Sequence, residues 1–310
     1  MLGLISGMMS SIISFIDMKK QYSTTFAIFL LLLSMASFQL GAGFATKLMQ
    51  ETGPYAATAL RQGFSALFMF FFAKLWKFDF KGISFKALLL YGFSLALMNL
   101  CFYISIDRIP LGIAVAIEFT GPLLVGLISS RKPIDFLWII LAAIGLYLLM
   151  PINNFSAHLD PFGVFMAFMA AIGWALYILS GHHLGKKFDG LSAVAIGISI
   201  SCIFTIPAAI AIDGSLNIFT PKFLFWGLLL GLVSNAIPYS IEMMALKKLS
   251  RQSFSLLMSL EPAFAAIAGA ILLMQKLDLV QIIAICFVMI ASFGSAYFQR
   301  QEKTIDEIIH

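Results

Sequence analysis

Residues Thr24 to Thr46, TTFAIFLLLLSMASFQLGAGFAT, run from end to end without a charged side chain. A helix needs about 20 such residues to cross the hydrocarbon core of a bilayer, and this stretch is long enough. Nine more apolar stretches follow, most holding one or two charged residues, at about 55–73, 86–106, 111–129, 134–150, 161–181, 191–212, 221–243, 253–274 and 278–298. Polar or turn-forming pieces divide them, such as Glu51-Thr-Gly-Pro54, Asp107-Arg-Ile-Pro110, Arg131-Lys-Pro133 and Asp213-Gly214, where Pro and Gly stop one helix and turn the chain. Composition agrees. Hydrophobic residues make up 61% and charged residues 11%, against about 25% charged in a soluble protein. A soluble enzyme, a nucleic-acid binder and a disordered chain are excluded, and the expected class is an all-α integral membrane protein of ten transmembrane helices.

The loops are short, so neighbouring spans run antiparallel, and the basic residues choose the orientation. Of the 20 Lys and Arg, fifteen fall on one side, Lys186, Lys187, Lys247 and Lys248 among them. Four fall on the other, Lys47, Arg108, Lys222 and Lys276. Basic loops stay in the cytoplasm, so both termini are expected there, and the net charge of +5 needs no nucleic acid to explain it. Residues 1–21 form an N-terminal extension. Its apolar part precedes Lys19-Lys20, the reverse of a secretory signal, and it reads as upstream read-through before Met18 more readily than as an interfacial helix. Residues 300–310 are a short cytoplasmic tail. Cys101, Cys202 and Cys286 sit inside apolar stretches without metal-ligand spacing, so neither a disulfide framework, nor a metal, nor a cofactor is expected.

The chain also compares with itself. Ser37 set against Gly173 brings Phe38 beside Trp174, Pro54 beside Gly190 and Arg61 beside Gly197. Ser105 to Pro122 lies against Ala245 to Pro262, and Asp135 opens the fifth span much as Asp278 opens the tenth. Two repeats follow, 22–150 and 160–299. Each holds five spans, and an odd number inverts the second repeat in the membrane. Inverted repeats are a transporter architecture with its site near the midplane.

Ionisable groups inside a membrane cost roughly 2.5–3.5 kcal/mol each on insertion scales, so those present are candidates for function. Arg61 in the second span either snorkels to an interface or binds a substrate carboxylate. Glu118 in the fourth span and Glu261 in the ninth approach one central cavity from opposite repeats, or are structural acids bonded to a neighbour. Asn99 and Asn235 add amides. Glu242 stands beside Lys247 and Lys248 and reads as an interfacial ion pair. Gly121, Pro122, Pro238 and Pro262 are hinge or kink positions, since proline frees a carbonyl one turn back and such breaks are tolerated where they line a cavity. No phosphate-binding loop is present, so a gradient or a separate subunit supplies the energy. His182-His183 reads as a solvated pair.

Several strings carry a family resemblance: Ala59-Leu-Arg61, Pro110-Leu-Gly-Ile-Ala-Val-Ala116, Glu118-Phe-Thr-Gly-Pro122, Pro133-Ile-Asp-Phe-Leu-Trp138, Tyr177-Ile-Leu-Ser-Gly181, Pro238-Tyr-Ser-Ile-Glu-Met243 and Leu257-Met-Ser-Leu-Glu-Pro262. Over about residues 22–299 the chain resembles the drug/metabolite transporter superfamily of EamA type. More narrowly it resembles the branch of threonine/homoserine exporters of the bacterial inner membrane. The resemblance implies proton-driven export of a small amino acid or related metabolite. In that reading Arg61 binds the substrate carboxylate and Glu118 its ammonium, by charge-assisted hydrogen bonds. Asn99 and Asn235 belong to the same substrate site. Glu261 carries the coupling proton, a carboxyl in a low-dielectric site being able to take up and release one; the two acids could also exchange these roles. Its partners are then the substrate, protons and the lipid bilayer. The alternatives are a transporter of another metabolite or an amphiphilic drug, for which 31 Phe supply apolar surface, and a membrane scaffold without cargo.

Overall fold

The computed structural model describes residues 24–78, 84–128, 133–149, 159–184, 190–212, 220–249, 254 and 257–309. The N-terminal extension, Arg131-Lys132, Lys186-Lys187 and the side chains of His182 and His183 lie outside the described residues.

Among the described residues the regular structure is helical throughout. In chain order the helices are α1 (Thr24–Thr52), α2 (Pro54–Phe72), α3 (Phe85–Ile106), α4 (Leu111–Glu118), α5 (Thr120–Ile128), α6 (Pro133–Leu149), α7 (Pro161–Leu184) and α8 (Gly190–Ile212). Then come α9 (Pro221–Gly231), a π-helical turn (Leu232–Ala236), α10 (Ile237–Lys248), α11 (Glu261–Leu272) and α12 (Leu279–Ile309). Proline opens α2, α6, α7 and α9, at the position where its missing N–H would lack a partner anyway. Gly53 turns α1 into α2 at φ 78, a backbone conformation that costs glycine little. Of the tail expected at 300–310, residues 300–309 continue α12 as helix.

Among the described residues, five helical segments are long and apolar enough to cross a membrane: Thr24–Thr52, Phe85–Ile106, Pro161–Gly181, Leu191–Ile212 and Pro221–Glu242. Shorter apolar helices cover Leu111–Val125, Phe136–Leu149, Glu261–Leu272 and Leu279–Gly294. The expected fourth span is therefore not one even helix. Pro122 has no N–H for the carbonyl of Glu118 four residues back, and the helix breaks at Phe119. The ninth breaks at Ser259-Leu260, just before Pro262. Large apolar side chains face outward along the bundle, Phe29, Phe136, Ile203 and Ile271 among them. Hydrocarbon solvates that surface and water does not. The chain is an all-helical membrane protein.

The main helix pairings are α3 on α7, α2 on α8, α6 on α12, α3 on α8, α1 on α10, α2 on α9 and α4 on α11. Each takes one helix from residues 22–150 and one from 160–299. The two halves of the chain interlock rather than stand side by side, which leaves the middle of the bundle lined from both.

Candidate functional site

The site starts at the π-helical turn. Pro238 has no N–H to give the Ser234 carbonyl four residues back, and in the π turn the Ile237 N–H goes to the Leu232 carbonyl, so the Val233 carbonyl lacks its usual donor too. Side chains from the other half of the chain supply it. Ser37 Oγ donates to the Val233 carbonyl at 2.6 Å, and Arg61 Nη1 reaches the Ser234 carbonyl at 3.5 Å. α1 comes close enough for this because residue 41 is glycine; a Cβ there would collide with the Cβ of Ser234.

Arg61 projects from α2 into the centre and is only 4% exposed, so it does not snorkel. Its Nη1 donates to Asn235 Oδ1 on the π turn and its Nη2 to Asn99 Oδ1 on α3. The guanidinium lies 4.4 Å from the centroid of the Tyr103 ring, where a desolvated cation–π contact is worth about 2 kcal/mol. Two amides and a ring thus fix the plane of the fork, and Nε is left as a buried N–H without a partner.

The acids gather opposite. Glu118 is the last residue of α4, at the break made by Pro122, and Glu261 is the first of α11. Gln39 Nε2 on α1 donates to Glu261 Oε1 at 3.1 Å. Glu261 Oε2 and Gln39 Oε1 remain buried acceptors with no donor. Glu242, expected as an interfacial ion pair, lines the same cavity from α10; the side chain of Lys247 lies outside the described residues. The cavity measures about 130 Å³ and is walled by Phe38, Tyr103, Trp174, Tyr177 and Tyr239. The sequence-derived candidates Arg61, Asn99, Glu118, Asn235 and Glu261 all line it. The hinge candidates do not. Gly121 packs against the backbone carbonyl of Ala171 on α7, where any Cβ would collide. Pro122 and Pro262 sit in the first turns of α5 and α11, and Pro238 follows the π turn.

The EamA-like transporter family model matches residues 161–297. The chain is 42% identical over 281 residues to the threonine/homoserine exporter RhtA of Salmonella typhimurium (strain LT2), covering 91% of this chain and 95% of that one. Identity and coverage are the same for RhtA of Escherichia coli (strain K12). The chain belongs to the EamA-like transporter family. It is a transporter and not an enzyme. A solved crystal structure covering 89% of this chain and 99% of its own superposes with a TM-score of 0.59 at 16% identity, a likeness of fold.

Three features of this EamA-like transporter's site escaped the reading of its sequence. Gln39 is neutral and gave no sign of facing an acid. Tyr103 was one aromatic residue among many. Glu242 reads from the sequence with the lysines that follow it, whereas it lines the cavity with Tyr177, Tyr239 and Glu261. A usable signal existed. The register that sets Ser105 against Ala245, carried back, sets Phe102 against Glu242 and Asn99 against Tyr239, and all four line the cavity.

Proposed function

We propose that this transporter exports a small amino acid of the threonine or homoserine class from the cytoplasm by alternating access, with protons entering in exchange. The cavity carries the reading. One fixed guanidinium with a free N–H stands in it with three carboxyls, which suits a zwitterion: Arg61 takes the carboxylate and Glu118 the ammonium. Asn99 and Asn235 serve the substrate through the guanidinium they orient. Glu261 takes the coupling proton. Size adds support, since a cavity of about 150 Å³ admits a benzene-sized molecule and this one is of that order. The aromatic walls would suit an amphiphilic drug, but the volume disfavours one. The names of the relatives, threonine/homoserine exporters, point the same way.

The fold is read as two inverted repeats, 22–150 and 160–299, rocking about the cavity. Exchanging spans one to five for six to ten supports it. The pairing of α1 with α10 becomes that of α7 with α3, and α1 with α11 becomes α7 with α4; both images are observed pairings. Residues matched by the internal alignment, Phe38 with Trp174 and Glu118 with Met258, line the cavity together. The location is the bacterial inner membrane, with the extension, the 300–310 tail and both termini in the cytoplasm. A C-terminal reporter active only outside the cytoplasm is expected to stay silent.

The deciding experiment is counterflow of labelled substrate in proteoliposomes over a panel of amino acids, nucleotides, sugars and amphiphilic drugs. Saturable exchange confined to small amino acids is expected. Exchange of nucleotides, sugars or drugs with none of threonine or homoserine would discard the reading.

A further inference from the structure

Gln39 and Glu261 are joined by one hydrogen bond where their chemistry allows two. The carboxamide donates Nε2–H to Glu261 Oε1 at 3.1 Å. The other atom of each planar group, Gln39 Oε1 and Glu261 Oε2, is a buried acceptor without a donor. Both residues are more than nine-tenths buried, at 5% and 8% exposure. Buried polar atoms are nearly always paired, so two orphans on two groups already in contact need an account. Both are acceptors, and a second acceptor cannot serve either one. A proton serves both. An ionised carboxylate only accepts, whereas a protonated one carries an O–H donor. With the proton on Oε2, the O–H donates to Gln39 Oε1, and amide and acid close a ring of two parallel hydrogen bonds.

We propose that Gln39 is the positioning residue of proton coupling: it receives the proton on Glu261 in a two-bond amide–acid ring that clamps α1 to α11. This rests on Glu261 being the proton site of the transport cycle. The two residues stand in opposite halves of the chain, so the ring tightens a contact between the parts that must rock. The proton comes from water on the side to which the emptied cavity opens, sits on Oε2, and leaves to water on the other side as the carboxylate reforms; no other bond changes. The charged and titratable groups sharing the cavity are Glu118 from α4, Glu242 and Tyr239 from α10, Arg61 from α2, Tyr103 from α3 and Tyr177 from α7. The cavity's other amides, Asn99 and Asn235, give their Oδ1 atoms to Arg61, which leaves Gln39 as the amide bonded to the Glu261 carboxyl.

The test is difference infrared spectroscopy of the reconstituted full chain between alkaline and acidic pH, run with proton-driven accumulation of labelled threonine. Glu261→Gln assigns the protonated-carboxyl C=O band by its disappearance. In the parent that band is expected at the low frequency of a hydrogen-bonded acid. In Gln39→Met, or Gln39→Leu if the first fails to insert, it should move up toward the frequency of a free acid, while accumulation falls at least tenfold. A purely structural glutamine would lower transport and leave the band in place, and that result overturns the role of Gln39. If Glu261→Gln still accumulates substrate under a pH gradient, the proton-site reading beneath it fails instead.

Discussion

Arg61→Lys separates a substrate-binding guanidinium from a mere buried charge. In the parent, Nη1 and Nη2 are taken by Asn235 and Asn99, the ring of Tyr103 backs the plane, and Nε alone is unpartnered. An ammonium is a compact point charge without a planar fork. An ammonium has three N–H donors but only one nitrogen, which cannot stand at the separate places of Nη1, Nη2 and Nε at once. One amide oxygen is then left buried and unpaired, at about 1–3 kcal/mol of stability. The charge-assisted bond to the substrate is lost as well, about 1.5–3 kcal/mol. Only the second loss enters affinity, and at 1.4 kcal/mol per decade it raises KM roughly ten- to a hundred-fold. The measurement is initial uptake of labelled threonine into inside-out vesicles across a concentration series, with insertion matched by fluorescence-detected size exclusion. A Lys variant that inserts normally and keeps KM within about twofold of the parent would remove Arg61 from the substrate site.

The two central acids should behave differently when neutralised. Glu118→Gln is expected to abolish both labelled exchange and pH-driven export, whereas Glu261→Gln should keep exchange and lose pH-driven export; normal export in both would make the acids structural. Gly41→Ala places a Cβ on Ser234, pushing α1 off the π turn for about 1–3 kcal/mol of overpacking; a melting temperature in detergent equal to the parent's would refute that contact. Asp160 precedes Pro161 and accepts the Phe162 N–H at 2.8 Å as the cap of α7, so Asp160→Ala should cost about 0.5–2 kcal/mol in a denaturation midpoint. The Arg108 guanidinium, hydrogen-bonded to Asp160, and the Phe162 N–H hold its carboxyl below the usual carboxylate range. Its contribution is therefore complete above about pH 4, the unperturbed carboxyl value, and is lost only as pH falls through the depressed one. A parent–variant difference that vanishes already at pH 5 would contradict this. The exposed Arg108–Asp160 ion pair, at 2.9 Å, adds little of its own.

The sequence by itself determined the solvent of this protein and most of its charged centre. Apolar runs such as Thr24 to Thr46 can be stable only in lipid, and an ionisable residue inside such a run is too costly to persist without a polar setting. Arg61, Glu118 and Glu261 therefore stood out before any helix was packed. Proline likewise marked the breaks at Phe119 and at Ser259-Leu260, because a missing N–H is a property of the chain alone. Tertiary structure decided which way every neutral residue faced. In a helix wetted by lipid on one side and by protein on the other, both faces are apolar, so no periodicity reports rotation about the axis. Gln39, Tyr103 and the aromatic walls were hidden for that reason. Glu242 was hidden because the π turn adds a residue to the ninth-to-tenth helix run and re-aims everything beyond it. The fixed plane of the Arg61 fork was also beyond reach of the sequence, since Asn99 and Asn235 lie far apart in the chain and meet only where α2, α3 and the π turn cross.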